Sequence, residues 1–254
     1  MRNVVRLVTL AAALALAGCD WEDFSGDWQR YKEDFHHTYN LKPGGTLSVE
    51  NMNGSVEVIG WSRDVVEIAG IKFAGTEEML KALKIDIVAT NDAVRVRTVR
   101  PAERRGNFGA KYVIRVPQKT QIERITSSNG AIRVETVDGN ARLRTSNGSV
   151  RVWKVNGDVD AQTSNGGVEV QEFRGRAVIR TSNGGIKAYG VRGYFEAITS
   201  NAGIDAQIDE LDAQQPVRLE SSNGAISLTL DTIRGNDILA STSNSSITVR
   251  LPAS

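Results

Sequence analysis

Two histidines, His36 and His37, and one cysteine, Cys19, are the chain's whole stock of soft metal ligands. A Cys/His zinc site needs more than these three, and a lone cysteine cannot close an intramolecular disulfide. His36 and His37 are adjacent on a segment predicted as a strand, so they point to opposite faces and do not share a metal. The Gly-x-Ser-x-Gly elbow, the His-Glu-x-x-His helix and the phosphate loop do not occur in the sequence. Carboxylates remain. The densest acidic run, Asp205, Asp209, Glu210 and Asp212, reads as a calcium or catalytic site or, more simply, as a solvated turn. Arg100, Arg104, Arg105 and Lys111 form a basic stretch open to the same two kinds of reading, a contact for anionic glycan or lipid headgroups or a solvated loop. With 31 basic and 30 acidic side chains in 254 residues, no field draws the chain to nucleic acid. The expectation is a protein with no catalytic residue, metal or cofactor.

The residue with the clearest chemistry is Cys19. Arg2 and Arg6 precede an apolar run from Leu7 to Ala17, too short to span a bilayer and of the length of a signal-peptide core. The run ends Leu16-Ala17-Gly18-Cys19, which resembles the lipobox of bacterial lipoproteins. That resemblance implies an acylated Cys19 as the mature N-terminus, anchored to a membrane by its acyl chains. Asp20, next in line, is similar to the sorting signal that keeps such proteins in the inner membrane, facing the periplasm; without that rule the outer membrane is the destination. Loss of Arg2 and Arg6 takes the basic count from 31 to 29 against 30 acids, so the mature body is close to neutral.

What must position any surface chemistry is a repeat. Ser-Asn-Gly or a close variant recurs with its Asn at Asn129, Asn147, Asn165, Asn183, Asn201, Asn223 and Asn244. The first four intervals are eighteen residues, and an isolated copy lies at Asn53-Gly54. Three residues after each Asn comes Ile132, Val150, Val168, Ile186, Ile204, Ile226 or Ile247, and two residues further a second apolar column. Alternation of that kind is a strand with one buried face. A second strand follows in each unit, with Ala141, Val159, Ala177 and Phe195 in one column, after turn signals at Asp138-Gly139, Asn156-Gly157, Arg174-Gly175 and Arg192-Gly193. One such unit cannot bury its apolar face alone, so the units must stack as coils of an all-β, single-stranded β-solenoid with about 18 residues per coil. A left-handed hexapeptide helix would need an aliphatic residue nine places after each Asn; Asp138, Asn156, Arg174 and Arg192 stand there, so a right-handed β-helix is expected. Stacked Asn side chains can bond up and down the column, and an Asn-Gly pair suits positive φ.

Pro43-Gly44-Gly45-Thr46-Leu47-Ser48-Val49-Glu50-Asn51, then Asn53-Gly54-Ser55-Val56-Glu57-Val58 and Gly60-Trp61, together with the Ser-Asn-Gly coils, resemble the DUF4097 adhesin-type domain family over residues 35 to 251. The resemblance implies a right-handed β-solenoid of bacterial envelope proteins and a binding role, with no catalytic residues to carry over. The expected organisation is a signal peptide over 1–18, a lipidated tether over 19–34 and the solenoid over 35–254. Met79, Leu80 and Leu83 predict one short helix near 77–83 that covers an end or flank of the solenoid. Trp21, Phe24, Trp28, Tyr31 and Phe35 fall at helical spacing, as an interfacial amphipathic stretch or as a segment packed on the first coil. Trp153 and Tyr189 lie in one outward column two coils apart and form the candidate binding surface. The last coil has no helix after it, which allows end-to-end self-association. The expected function is a membrane-anchored, non-enzymatic binding or scaffold module of the envelope, with an unknown envelope protein or glycan as partner. A carbohydrate-active β-helix enzyme and a periplasmic partner of an envelope-stress or signalling membrane protein are the alternatives.

Overall fold

The computed structural model describes residues 31–100, 106–212 and 214–252. The signal peptide, Cys19, Asp20, Trp21, Phe24 and Trp28 lie outside the described residues, as do Arg104 and Arg105. The chain is a right-handed β-solenoid of eighteen-residue periodicity with nineteen strands and one short helix among the described residues.

Each coil contributes one strand to each of two parallel stacks, here called front and back. The front stack runs β2 (Thr46–Glu50), β8 (Gln121–Ser127), β10 (Ala141–Thr145), β12 (Val159–Gln162), the second halves of β13 (Val168–Arg180) and β14 (Ile186–Thr199), β16 (Val217–Ser221) and β18 (Ile238–Thr242). The back stack runs β3 (Val56–Trp61), β9 (Ile132–Asp138), β11 (Val150–Asn156), the first halves of β13 and β14, β15 (Ile204–Glu210), β17 (Ile226–Leu230) and β19 (Ile247–Arg250). The apolar columns of the sequence meet in register, Ile132 on Val150 on Val168 on Ile186 on Ile204 on Ile226 on Ile247. They enclose one continuous core that extends from Leu41 to Leu230.

The first coil in sequence is not the first in space. β6 (Ala93–Val99) and β7 (Phe108–Pro117) form a coil that pairs with β2 and β3 on the side opposite β8 and β9. The β2–β3 coil is therefore enclosed on both sides. Antiparallel strands close the outer edge: β5 (Lys84–Ala89) on β6, β4 (Val65–Ala74) on β7 and β1 (Tyr31–Asn40) on β4. Helix α1 (Glu77–Ala82) begins at Thr76, whose side chain accepts the Met79 amide at 3.2 Å, and buries Met79 and Leu80 with Met52, Ala74, Leu83 and Phe108 in a small satellite core.

Tyr31 and Phe35 correct the helical reading of the aromatic stretch. Both lie on β1, an extended strand, where Phe35 packs edge-on against Tyr112 at 5.5 Å and touches the space left by Gly70. An interval of four fits both a helix and the even period of a strand, so spacing alone does not distinguish them.

The turns explain the motif. Each Asn Nδ2 donates to the Oδ1 of the Asn one coil back, from Asn129 on Asn53 to Asn244 on Asn223, at 2.6–2.8 Å. Beneath this exposed column lies a buried one of Ser127, Thr145, Thr163, Thr181, Thr199 and Ser221. Thr163 Oγ1 donates to the Gly148 carbonyl at 2.8 Å, and its neighbours repeat the bond. The glycine has a different cause from the one expected. Gly130, Gly148, Gly166, Gly184 and Gly224 are not among the positive-φ residues; a Cβ on each would stand 1.8–2.0 Å from a carbonyl oxygen of the preceding coil. The coils pack so closely at this corner that a side chain does not fit. Ala202 and Ser245 are the departures from glycine in the column.

A second corner does need left-handed backbone. Thr136, Lys154, Glu172 and Gly190, equivalent positions of four successive coils, have φ of 57°, 53°, 48° and 66°. They bend each back strand before it turns to the front.

Candidate binding faces

The outward residues of the back stack form two columns. Register places Arg133, Arg151, Glu169, Lys187, Asp205, Ser227 and Thr248 in one, and Glu135, Trp153, Gln171 and Tyr189 in the other. Trp153 and Tyr189 thus share a column with Gln171 between them, about 10 Å apart by strand spacing. Both rings are half-buried and held. The Trp153 Nε1 donates to Glu172 Oε1 at 2.9 Å, and the Lys154 ammonium sits 4.3 Å from its ring centroid. Lys154 and Glu172 are left-handed corner residues, so the bend is what brings both to the Trp153 indole. Tyr189 donates its hydroxyl to Asp205 Oδ2 at 2.7 Å, and that bond pushes its phenol pKa up. Neighbouring charges are largely matched: Arg151 on Glu169 at 2.9 Å, Arg133 on Glu135 at 2.8 Å.

The acidic run is dispersed by these pairings. Asp205 is occupied by Tyr189, Asp209 faces Arg192 at 3.6 Å and Glu210 faces Arg234 at 3.3 Å, while Asp212 contributes its backbone carbonyl to Asn236. Among the described residues there is no group of three or more His, Cys, Asp or Glu able to hold a metal ion. His36 approaches Glu67 at 3.7 Å, whereas the His37 ring lies on the other face between Phe35 and Tyr39, at 6.2 and 6.3 Å. Of the basic stretch, Arg100 contacts the Met52 sulfur and Lys111 is engaged with a partner.

No family model matches the chain, and no curated protein does. The likeness of the opening motif to the DUF4097 domain therefore has no family match behind it. The solved structures similar in form include the following three. One is a candidate cell adhesion protein of Clostridium sporogenes, 9% identical, covering 86% of this chain and 100% of its own, with a TM-score of 0.38. The others are a candidate adhesin of Bacteroides fragilis, 11% identical over 85% and 97% at 0.36, and a candidate lipid-binding protein of Parabacteroides distasonis, 12% identical over 85% and 97% at 0.34. These are distant likenesses.

The outer surface of the front stack, which the sequence reading did not single out, carries its own rows of charge. Arg144 pairs with Asp160; Arg180 donates to Glu196 Oε1 at 2.6 Å, and Tyr194 to Glu196 Oε2 at 2.9 Å. Arg176 lies 4.7 Å from the Tyr194 ring centroid, and the phenol is pushed up first by burial and then by Glu196. These residues sit between the apolar columns of the second half-unit, where their alternation is visible in the sequence; which of them adjoin depends on the coil register.

Proposed function

We propose that this protein is a lipid-anchored module of the bacterial envelope that binds a partner through the outer faces of its coils. The observation that carries the reading is the back column. Two aromatic rings stand at a fixed separation on a hydrogen-bonded scaffold, each already oriented by a carboxylate, so little side-chain freedom is lost when a partner covers them. The lipobox-like ending at Cys19 supports the anchor, and Asp20 supports retention in the inner membrane. The resemblance to the DUF4097 domain supports binding over catalysis.

Membrane fractionation with protease shaving tests the anchor and the side of the envelope together. The mature protein is expected in the membrane fraction and Cys19→Ala in the soluble fraction; wild type in the soluble fraction removes the anchor from the reading. Retention on isolated envelopes tests the face. A Trp153→Ala, Tyr189→Ala double variant with unchanged thermal stability is expected to lose most of its retention, and equal retention of the two proteins rejects this face.

A further inference from the structure

The outer face of the front stack holds an open groove of about 670 Å³, a volume within the usual range of small-ligand sites. It crosses four successive rungs, β8, β10, β12 and the second half of β13, and reaches Thr46 on the adjoining β2. Its floor includes Val178, a residue on the outward side of its strand that is nevertheless only 7% exposed.

Charge alternates along the rim from rung to rung: Glu123 on β8, Arg142 on β10, Asp158 at the entry to β12 and Arg176 on β13. Glu123 is placed there by a bulge. Ala141 pairs with Ile122 but Leu143 with Ile125, so Glu123 and Arg124 together oppose Arg142, and the same shift recurs against β2. Bulges of this kind re-aim a side chain at the cost of a ladder bond.

Two other charges that line the groove are matched, Arg180 with Glu196 and Asp160 with Arg144, and farther along the same face Arg218 pairs with Glu220. Glu123, Arg142 and Asp158 are exposed, and their side chains have no hydrogen bond or ion pair among the described residues. Free charges of both signs in one groove select against a ligand of a single sign, which half the rim repels. A ligand carrying both signs is attracted by the whole rim.

We propose that this groove binds a short zwitterionic oligopeptide. Its carboxylates meet Arg142 and the exposed side of Arg176, its ammonium groups meet Glu123 and Asp158, and its methylenes lie over Val178. The site is on the opposite stack from Trp153 and Tyr189, and it does not depend on the anchor or on the back face.

Calorimetric titration of the full chain with the tetrapeptide Ala-Glu-Lys-Ala, termini free, tests it. Binding is expected to weaken at high salt and to fall about tenfold in each of Glu123→Gln, Arg142→Gln and Asp158→Asn, roughly one charge-assisted contact each. Trp153→Ala is expected to bind as wild type. All four positions are surface-accessible, and a thermal melt of each variant reports whether folding is retained. The proposal is overturned if the peptide gives no saturable binding, if the three charge variants bind as tightly as wild type, or if a blocked peptide with Gln for Glu and Lys binds equally well. Chitotetraose is the decisive competitor: an uncharged saccharide whose binding these replacements abolish would make the groove a glycan site.

Discussion

At the scale of single residues, backbone conformation and burial make two opposite demands. The left-handed column asks three non-glycine residues to adopt positive φ, and the β-branched Thr136 is the least suited of them. Gly190→Val is expected to lower stability by about 1–2 kcal/mol, because the added Cβ meets the left-handed penalty. Thr136→Gly is expected to shift the melting temperature upward by a smaller amount, since glycine's larger unfolded-state entropy offsets part of the relief. Thermal melts of the two variants check the pair, and a fall in both would mean that the bend is not strained. Tyr112 is governed by burial instead. Its ring is 1% exposed, its hydroxyl lies 2.6 Å from Thr98 Oγ1, and Thr98 in turn donates to Asn51 at 2.9 Å. Desolvation pushes this phenol up to about 12. Above pH 10 the unfolded chain loses the phenolic proton while the folded chain keeps it, so stability is intact below that pH and declines as pH rises from 10 towards 12. The slope approaches about 1.4 kcal/mol per pH unit. Denaturant titrations across that window should show the decline in wild type and a flatter profile in Tyr112→Phe.

The scale of the element is where the sequence speaks most clearly and where it is silent for a definable reason. Columns that recur every eighteen residues carry their own register, so the coil length, the buried face and the Asn row are all readable from Asn129 to Asn244. The Thr and Ser column just before each Ser-Asn-Gly was equally periodic, but threonine fits a strand surface so readily that its inward turn becomes evident only from the buried bond to the preceding coil. Strands β1, β4, β5, β6 and β7 share no period with the repeat. β5 and β6 form a local hairpin with Ala89 opposite Val94, but β1 pairs with β4 and β4 with β7 across intervening strands, and nothing in one strand names its partner, so the capped edge was not legible beyond its helix. The groove was hidden for the same reason, because Glu123 becomes a rim residue through a bulge between two strands. Within the repeat, the turn makes graded predictions. Asn165→Ala removes one bond to Asn147 and one from Asn183 and is expected to cost about 1–3 kcal/mol, while Asn244→Ala breaks a single described rung and should cost about half as much. Chemical denaturation separates the two; equal, negligible effects would mean that water replaces the amide row without loss. Gly166→Ala is expected to be at least as damaging as Asn165→Ala, since its Cβ would lie 1.9 Å from the Gly148 oxygen.

For the whole molecule, the enclosure of the β2–β3 coil and the antiparallel closure beyond it make the two directions of the stack unequal. Stability in such a stack is a sum of each coil's own contribution and its contacts with its neighbours. The central coils have neighbours on both sides, whereas all four residues of β19 are exposed and Ile247 is 41% exposed, against 1% for its partner Ile226. Hydrogen exchange should therefore be slowest through β9 to β14 and fastest in β18 and β19, and uniform protection would contradict a neighbour-by-neighbour stack. The same geometry makes the protein a ruler with discrete graduations. Excising residues 148–165 joins Asn147 to Gly166, so every ladder can re-form one step down with the solenoid shortened by ~4.8 Å. Removing half that number would put the next Asn nine residues after Asn147, half a coil out of step with the Asn row. Length is thus adjustable by whole coils in the repeat, while the end that holds β1, β4 and β5 fixes the zero of the scale.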